Sequence, residues 1–409
     1  MPRFLRLDPR LSWAIPICGF FVLVVRHWDS FVYPQFIYED AGAFWAATYV
    51  DTGPALVLRP WAGFLRVSQR LIFLGLRLSP AQVAPAVGEL ILFGAVALLA
   101  AFVVSTRLRD AIPSQASRNV LAAFLFVIPA TTEMLGSVLN IEWFLWVFLA
   151  CLCLASVPGR RVAVLEGLVA LVAGVTGPIV VALLPVLVWR LGRRRPWLIL
   201  TLALCALCQV ATFALIGHRS PVASDVVSSI SAFVRQTASA VLGARFGDVI
   251  DSVAFPWLLT LAGLLILAAI LMSARSLPRP TAVVLIWTAA AAALAGLISV
   301  GAPNLQIPGQ NARYFVMVSI AAATAAAVAA DRQRFVGLAL LGALIFGCVG
   351  DFRVDAFPRG DWATKYACIG GAEACVVGVY PDLWSVSWPG LNEPYVMPVG
   401  FTPDGLPQY

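Results

Sequence analysis

Apolar runs close to 20 residues long recur along nearly the whole chain, separated by short polar clusters rich in arginine. About 20 apolar residues is the length a helix needs to cross ~30 Å of hydrocarbon. The runs predict spans at about 11–27, 84–105, 119–136, 141–157, 197–217, 255–273, 281–300, 314–330 and 335–349. The run 162–189 is ambiguous. As a single span it would leave one flanking arginine cluster on the wrong side. Its halves, around Gly174-Val175-Thr176-Gly177-Pro178, each make only about 20 Å of helix. A short hairpin that turns inside protein at membrane depth satisfies both facts. The pattern therefore predicts an all-α polytopic membrane fold of about eleven transmembrane helices.

Charge orients that fold. The clusters Arg3-Arg6-Arg10, Arg107-Arg109-Arg118, Arg160-Arg161, Arg190 with Arg193-Arg194-Arg195, Arg275-Arg279 and Arg332-Arg334 fall on one side of the predicted spans. They hold more than half of the chain's 28 basic residues, with only Asp8, Asp110 and Asp331 beside them. Such asymmetry marks the cytoplasmic side, which puts the amino terminus inside and the carboxyl terminus outside. Arg3, Arg6 and Arg10 before an apolar run resemble a secretory signal. The run ends in Arg26-His27-Trp28 without a small-residue cleavage site, so it reads as an uncleaved first span. Residues 1–349 form the transmembrane domain, with outer loops 28–80, 218–254 and 301–313. Residues 350–409 form a small extracytoplasmic tail, carrying Trp362, Trp384, Trp388 and the only lysine, Lys365, expected to pack on the outer loops.

Composition agrees. The chain of 409 residues is 61% apolar and 12% charged, with a mean hydropathy of +0.89, against ~25% charged in a soluble domain. The net charge of +7 is spread through topology-setting clusters, which argues against nucleic acid as a partner. Six of the eight cysteines lie in predicted spans; Cys205-x-x-Cys208 is mid-span with no histidine nearby and reads as packing, not as a metal site. Cys368 and Cys375 lie in the tail, where an oxidising compartment favours a disulfide.

Most candidate chemistry lies in the first outer loop. Tyr38-Glu39-Asp40 places adjacent carboxylates ahead of a short helical stretch, 41–50. They serve either as ordinary capping acids or as reacting groups among aromatic surface (Tyr33, Tyr38, Phe44, Trp45, Tyr49) of the kind sugars stack on. One hard cation would also fit the pair, though no further ligand set is evident. At 100° per residue Arg59, Arg66, Arg70 and Arg77 fall within ~40° of one another. They predict an interfacial helix over 59–77 that either anchors to anionic lipid or grips the phosphate of a lipid-linked substrate. Glu89, Glu133, Asn140, Glu142, Trp143 and His27 lie at the same depth, as does the loop 301–313, which contains Asn311 and ends in Arg313-Tyr314. A transporter needs ionisable groups or broken helices near midplane, where few polar residues occur.

The acidic pair after the first span, the arginine-bearing segment 59–77, Arg313-Tyr314 near a late span and the outer tail resemble the GT-C superfamily. These are integral-membrane glycosyltransferases using polyprenyl-phosphate sugars, and the layout is similar to that of their smaller bacterial members. The large soluble domain of oligosaccharyltransferases is missing, which leaves the acceptor open. The resemblance implies a bacterial inner-membrane enzyme that moves a sugar from a polyprenyl phosphate to a glycan or lipid-linked acceptor outside the cytoplasm. Asp40 would be the general base and Glu39 would orient the acceptor or the base, with inversion at the anomeric carbon. Arg313, Arg59, Arg66, Arg70, Tyr314, Tyr38, Glu133, Asn140, Trp143 and Asn311 would bind substrate. No cofactor is implied. The competing readings are a lipid-linked oligosaccharide polymerase and a lipid or oligosaccharide transporter.

Overall fold

The computed structural model describes residues 11–37, 39–50, 53–130, 132–216, 225–252, 256–308, 311–353, 362–379, 384–388, 400–401 and 407–408. These residues are predominantly helical. Among the described residues five helices are long and apolar enough to cross a membrane: Ala84–Val104, Pro196–Ile216, Trp257–Ala274, Arg279–Leu305 and Ala312–Arg332. Shorter apolar helices pack among them, as expected of a multi-pass membrane protein.

In chain order, α1 is Ala14–Arg26, and α2 (Asp40–Ala46), α3 (Val67–Leu76) and α4 (Ala84–Val104) follow. Next come α5 (Gln115–Phe124) and α6 (Ile141–Leu154). The ambiguous run 162–189 folds as two helices, α7 (Arg160–Gly174) and α8 (Ile179–Leu191), joined by a turn at Gly177 (φ +72°). Then come α9 (Pro196–Ile216), α10 (Val226–Leu242), α11 (Ala244–Ser252), α12 (Pro256–Ala274), α13 (Arg279–Leu305), α14 (Val316–Arg332) and α15 (Arg334–Gly350).

Three segments depart from the sequence pattern. The predicted span 119–136 breaks after Phe124, since Pro129 cannot continue the helix and Ala130 is left-handed (φ 55°). The segment read as the outer loop 218–254 carries α10, whose stretch Gln236–Val241 is buried in the bundle. Arg235-Gln236 and its Ser and Thr residues lower its hydropathy below that of the long spans. A close approach of backbones brings it in: a Cβ on Gly263 of α12 would lie 2.1 Å from the Val234 carbonyl, and one on Gly347 of α15 2.3 Å from the Val241 carbonyl. Small residues at such crossings do for membrane helices what large ones do in water. The central helix α14 follows the same rule, being alanine-rich and almost wholly buried.

The third departure is a two-stranded antiparallel ribbon in the tail, β1 (Cys375–Val379) with β2 (Trp384–Trp388), in the register Cys375↔Trp388. A disulfide joins Cys368 and Cys375. Trp362, Val377, Val386 and Trp388 form one cluster with Phe36, Phe44, Trp45, Trp61 and Phe73. The Trp362 ring lies 5.0 Å from Phe36 and 6.3 Å from Trp45. The tail therefore covers the segment that follows α1.

A polar node ties the bundle at the end of α1. Buried Arg26 donates from Nε to the Phe352 carbonyl (2.8 Å), from Nη1 to Phe126 (3.2 Å), and from Nη2 to Ile128 (3.1 Å) and Asp351 (3.0 Å). Asp351, also buried, accepts the N–H groups of Ala130 (2.8 Å) and Ala244 (2.7 Å). Asp351→Ala leaves the Ala130 and Ala244 N–H groups without their acceptor, and each buried donor left unpaired costs about 1–3 kcal/mol. Asp351→Ala is expected to lower the thermal unfolding midpoint of the detergent-solubilised protein sharply. An unchanged midpoint would remove this node from the account.

Candidate functional site

Asp40 opens α2, a wide π-type helix of a kind often found at functional sites. The residue is 1% exposed. Oδ2 accepts the Val138 N–H at 2.8 Å and Oδ1 the Leu139 N–H at 3.1 Å. The acid thus clamps the turn that feeds α6, a contact absent from the sequence reading. Glu39 beside it is half-buried. Burial pushes the Asp40 carboxyl up to about 8, against the pull of the two N–H donors, and the Glu39 charge adds to the rise.

From that clamp a buried polar seam continues. Gln69 Nε2 donates to the Leu139 carbonyl at 2.9 Å, and the Ser68 hydroxyl donates to Gln69 Oε1 at 3.0 Å. The Ser68 N–H reaches Thr176 Oγ1 at 3.2 Å and the Gly177 N–H reaches the Leu65 carbonyl at 2.7 Å. Gln209 of α9 accepts the Leu65 N–H at 3.0 Å. The tip of the α7–α8 hairpin is therefore docked on the strand-like segment before α3, which satisfies its backbone inside protein. Arg66 pairs with Glu142 in the first turn of α6. A Cβ on Gly177 would sit 2.5 Å from Glu142 Oε2 and 3.1 Å from Arg66 Nη1.

Beyond Glu142 the seam becomes aromatic. Trp143 stacks on Trp146 at 5.4 Å and meets Tyr314 edge-on at 5.0 Å. Arg313 lies over the Tyr314 ring at 5.5 Å, and its Nη2 donates to Asn311 Oδ1 at 3.3 Å. Asn311 is left-handed (φ 56°), a conformation Asn tolerates better than most residues. Asn140, buried, lies between the Asp40 clamp and this pair. Glu89 is buried in the second turn of α4.

The structure thus links Asp40, Asn140, Trp143, Tyr314, Arg313 and Asn311 through residues 138–143. It corrects the arginine stripe. Only Val67–Leu76 of the predicted helix 59–77 is helical, because Ala62 and Gly63 (φ 53° and 82°) form a tight turn bridging Trp61 and Phe64. Arg59 is exposed outside the helix. Arg70, 1% exposed, donates to the Ala43 carbonyl at 2.5 Å and lies 4.4 Å over Phe44. Arg77 bonds the Thr48 carbonyl. Arg70 and Arg77 fasten the first loop to itself and Arg66 ties it to α6, so the four guanidiniums do not share one face. Tyr38 lies outside the described residues, as does the side chain of Glu133.

The sequence reading missed Gln69, Ser68, Thr176 and Gln209. The available signal was an uncharged polar residue on the buried face of an apolar segment, weaker than any charge. Among the described residues no group of three His, Cys, Asp or Glu side chains could hold a metal ion. Each Asp40 oxygen faces an N–H donor, an environment that competes with any cation. What the arrangement offers is a dry carboxyl able to hold or release a proton near neutral pH.

No family model, curated protein or solved structure matches the chain.

Two measurements probe the seam. The folded-state value of Asp40 lies above its ordinary 3.8, so its contribution to stability is full below ~4 and is lost as pH rises towards ~8. Unfolding midpoints should fall across that window, and Asp40→Asn should flatten the fall; an equal slope in both proteins would place the titration elsewhere. Gly177→Ala combines a positive φ with a clash on the Arg66–Glu142 pair and should cost more than the ~1 kcal/mol of a simple Gly-to-Ala strain, read as a lowered unfolding midpoint.

Proposed function

We propose that the protein is an integral-membrane glycosyltransferase of the GT-C kind. In this reading it crosses the membrane about eleven times, with the Asp40 end of the bundle outside the cytoplasm. The observation that carries it is Asp40 itself: a carboxyl withdrawn from water and shifted towards neutral pH, tied through residues 138–143 to the Trp143–Tyr314–Arg313 cluster. A base works best when its pKa lies near the working pH. Asp40 takes the proton of an acceptor hydroxyl as that oxygen attacks the anomeric carbon. The bond from that carbon to the lipid phosphate breaks, and the phosphate leaves with the bonding pair. Attack opposite the leaving group inverts the anomeric centre.

The roles of the arginines differ from the sequence expectation. Arg66 and Arg70 are committed to Glu142 and to the Ala43 carbonyl, so they act as positioning residues for the loop that holds Asp40. Arg313, half-buried against Tyr314, is the better partner for the departing phosphate, since a guanidinium matches its charge and geometry. Trp143 and Tyr314 supply aromatic surface for the sugar. Asn140 and Asn311 are amides within reach of the same seam.

Asp40→Asn keeps the size of the side chain and one acceptor oxygen but cannot take up the proton. In vesicles supplied with a polyprenyl-phosphate sugar, it should lower transfer by about 10²–10⁴-fold while membrane-inserted protein is unchanged. Arg313→Gln should reduce transfer as well. Full transfer by Asp40→Asn would end the glycosyltransferase reading.

A further inference from the structure

The far end of the bundle carries a cavity that the proposed chemistry does not use. Helix α4 begins beside the Asp40 clamp, where a Cβ on Gly88 would lie 2.8 Å from Val138. It runs 21 residues, about 32 Å, before the chain reaches Arg107. Around the second half of α4 lies a groove of about 650 Å³ between α4, α6 and α7, within the ~300–1,000 Å³ of ordinary ligand sites. Its walls are almost entirely apolar, with Leu98, Phe102, Phe148 and Val162 among them. Its polar groups are confined to one end, at Ser105, Arg107 and Glu166.

Depth and charge identify an occupant. Along α4 the lining runs from Ala95 to Phe102 and on to Ser105, about 15 Å of rise, half of a ~30 Å hydrocarbon core. Along α4 the groove is therefore one leaflet deep, and on α6 its lining reaches back to Ile141. At its polar end Glu166 accepts from Arg107 Nη1 at 2.5 Å and from Arg195 Nη1 at 2.8 Å, so two guanidiniums share one carboxylate and a positive charge is left over. Exposed Arg160 and Arg161 add to it. They open α7, which starts at Gly159 without a side-chain cap, so its first-turn N–H groups also face the rim. Helix starts with free N–H groups favour a phosphate.

We propose that this groove holds the acyl chains of one anionic phospholipid, with its phosphate at the start of α7 and beside Arg107, in the leaflet away from Asp40. The inference rests on the membrane placement in the preceding reading and not on glycosyl transfer. The lipid fills a gap between three helices and neutralises the unbalanced guanidinium.

The test is native mass spectrometry of the full chain released from nanodiscs of equal phosphatidylglycerol and phosphatidylcholine. Wild type should retain one phosphatidylglycerol. Gly159→Trp should lose it, because Gly159 lines the groove and a Cβ there meets nothing within 4 Å. Gly94→Trp, equally open but off the groove, should keep it. Arg160→Gln with Arg161→Gln should cut the preference for phosphatidylglycerol on the order of tenfold. If Gly159→Trp proves poorly folded, Val162→Trp makes the same block one turn further in. Undiminished lipid in a folded blocking variant would overturn the proposal. So would equal retention of the two lipids, or a dimer mass showing that a second copy covers the groove.

Discussion

A carboxylate withdrawn from water must find its partners inside the protein, and Asp40 finds them in the backbone. Its two oxygens take the Val138 and Leu139 N–H groups, which would otherwise lie unpaired where the chain turns into α6. One side chain thereby joins the first loop to the bundle. Gln69 reinforces the junction from the opposite side by donating to the Leu139 carbonyl. The loop can hold its shape only while that turn stays in place.

The same rule governs the other buried charges. Arg26 and Asp351 close the bundle where α1, α11 and α15 meet. Arg107, Glu166 and Arg195 close it at the other end of α4. An unpaired polar group is costly in lipid, so each node also records which segments must come together. The Asp40 seam differs in one respect. Burial exceeds what its two donors offset, and the carboxyl is left near the edge of ionisation. That imbalance is tolerable in a structural clamp and useful in a base.

Much of this was legible in the sequence. The helices Ala84–Val104 and Pro196–Ile216 lie where hydropathy put them, and the short hairpin α7–α8 follows from its arginine flanks and the Gly-Pro turn. Asp40 stood out because adjacent acids in an apolar chain are rare. Less visible were features set by tertiary contact. The arginine stripe has helical spacing, yet the positive φ of Ala62 and Gly63 interrupts it, and Arg66, Arg70 and Arg77 each turn to an internal acceptor while Arg59 stays exposed. Helix α10 is apolar but, at 17 residues and interrupted by Arg235-Gln236, shorter than a full span; glycines on α12 and α15, far along the chain, make room for it. The clamp on 138–139 had no signal, since backbone N–H groups are the same at every position.

The central claim is that Asp40 exchanges its proton near neutral pH from within a dry seam. Infrared difference spectra between wild type and Asp40→Asn, recorded as pH is raised, isolate the carbonyl stretch of this one acid. The account predicts a protonated-acid band present at pH 6 and lost with a midpoint near the value of about 8. No such band at pH 6, the signature of a carboxylate already ionised in the ordinary acid range, would contradict it.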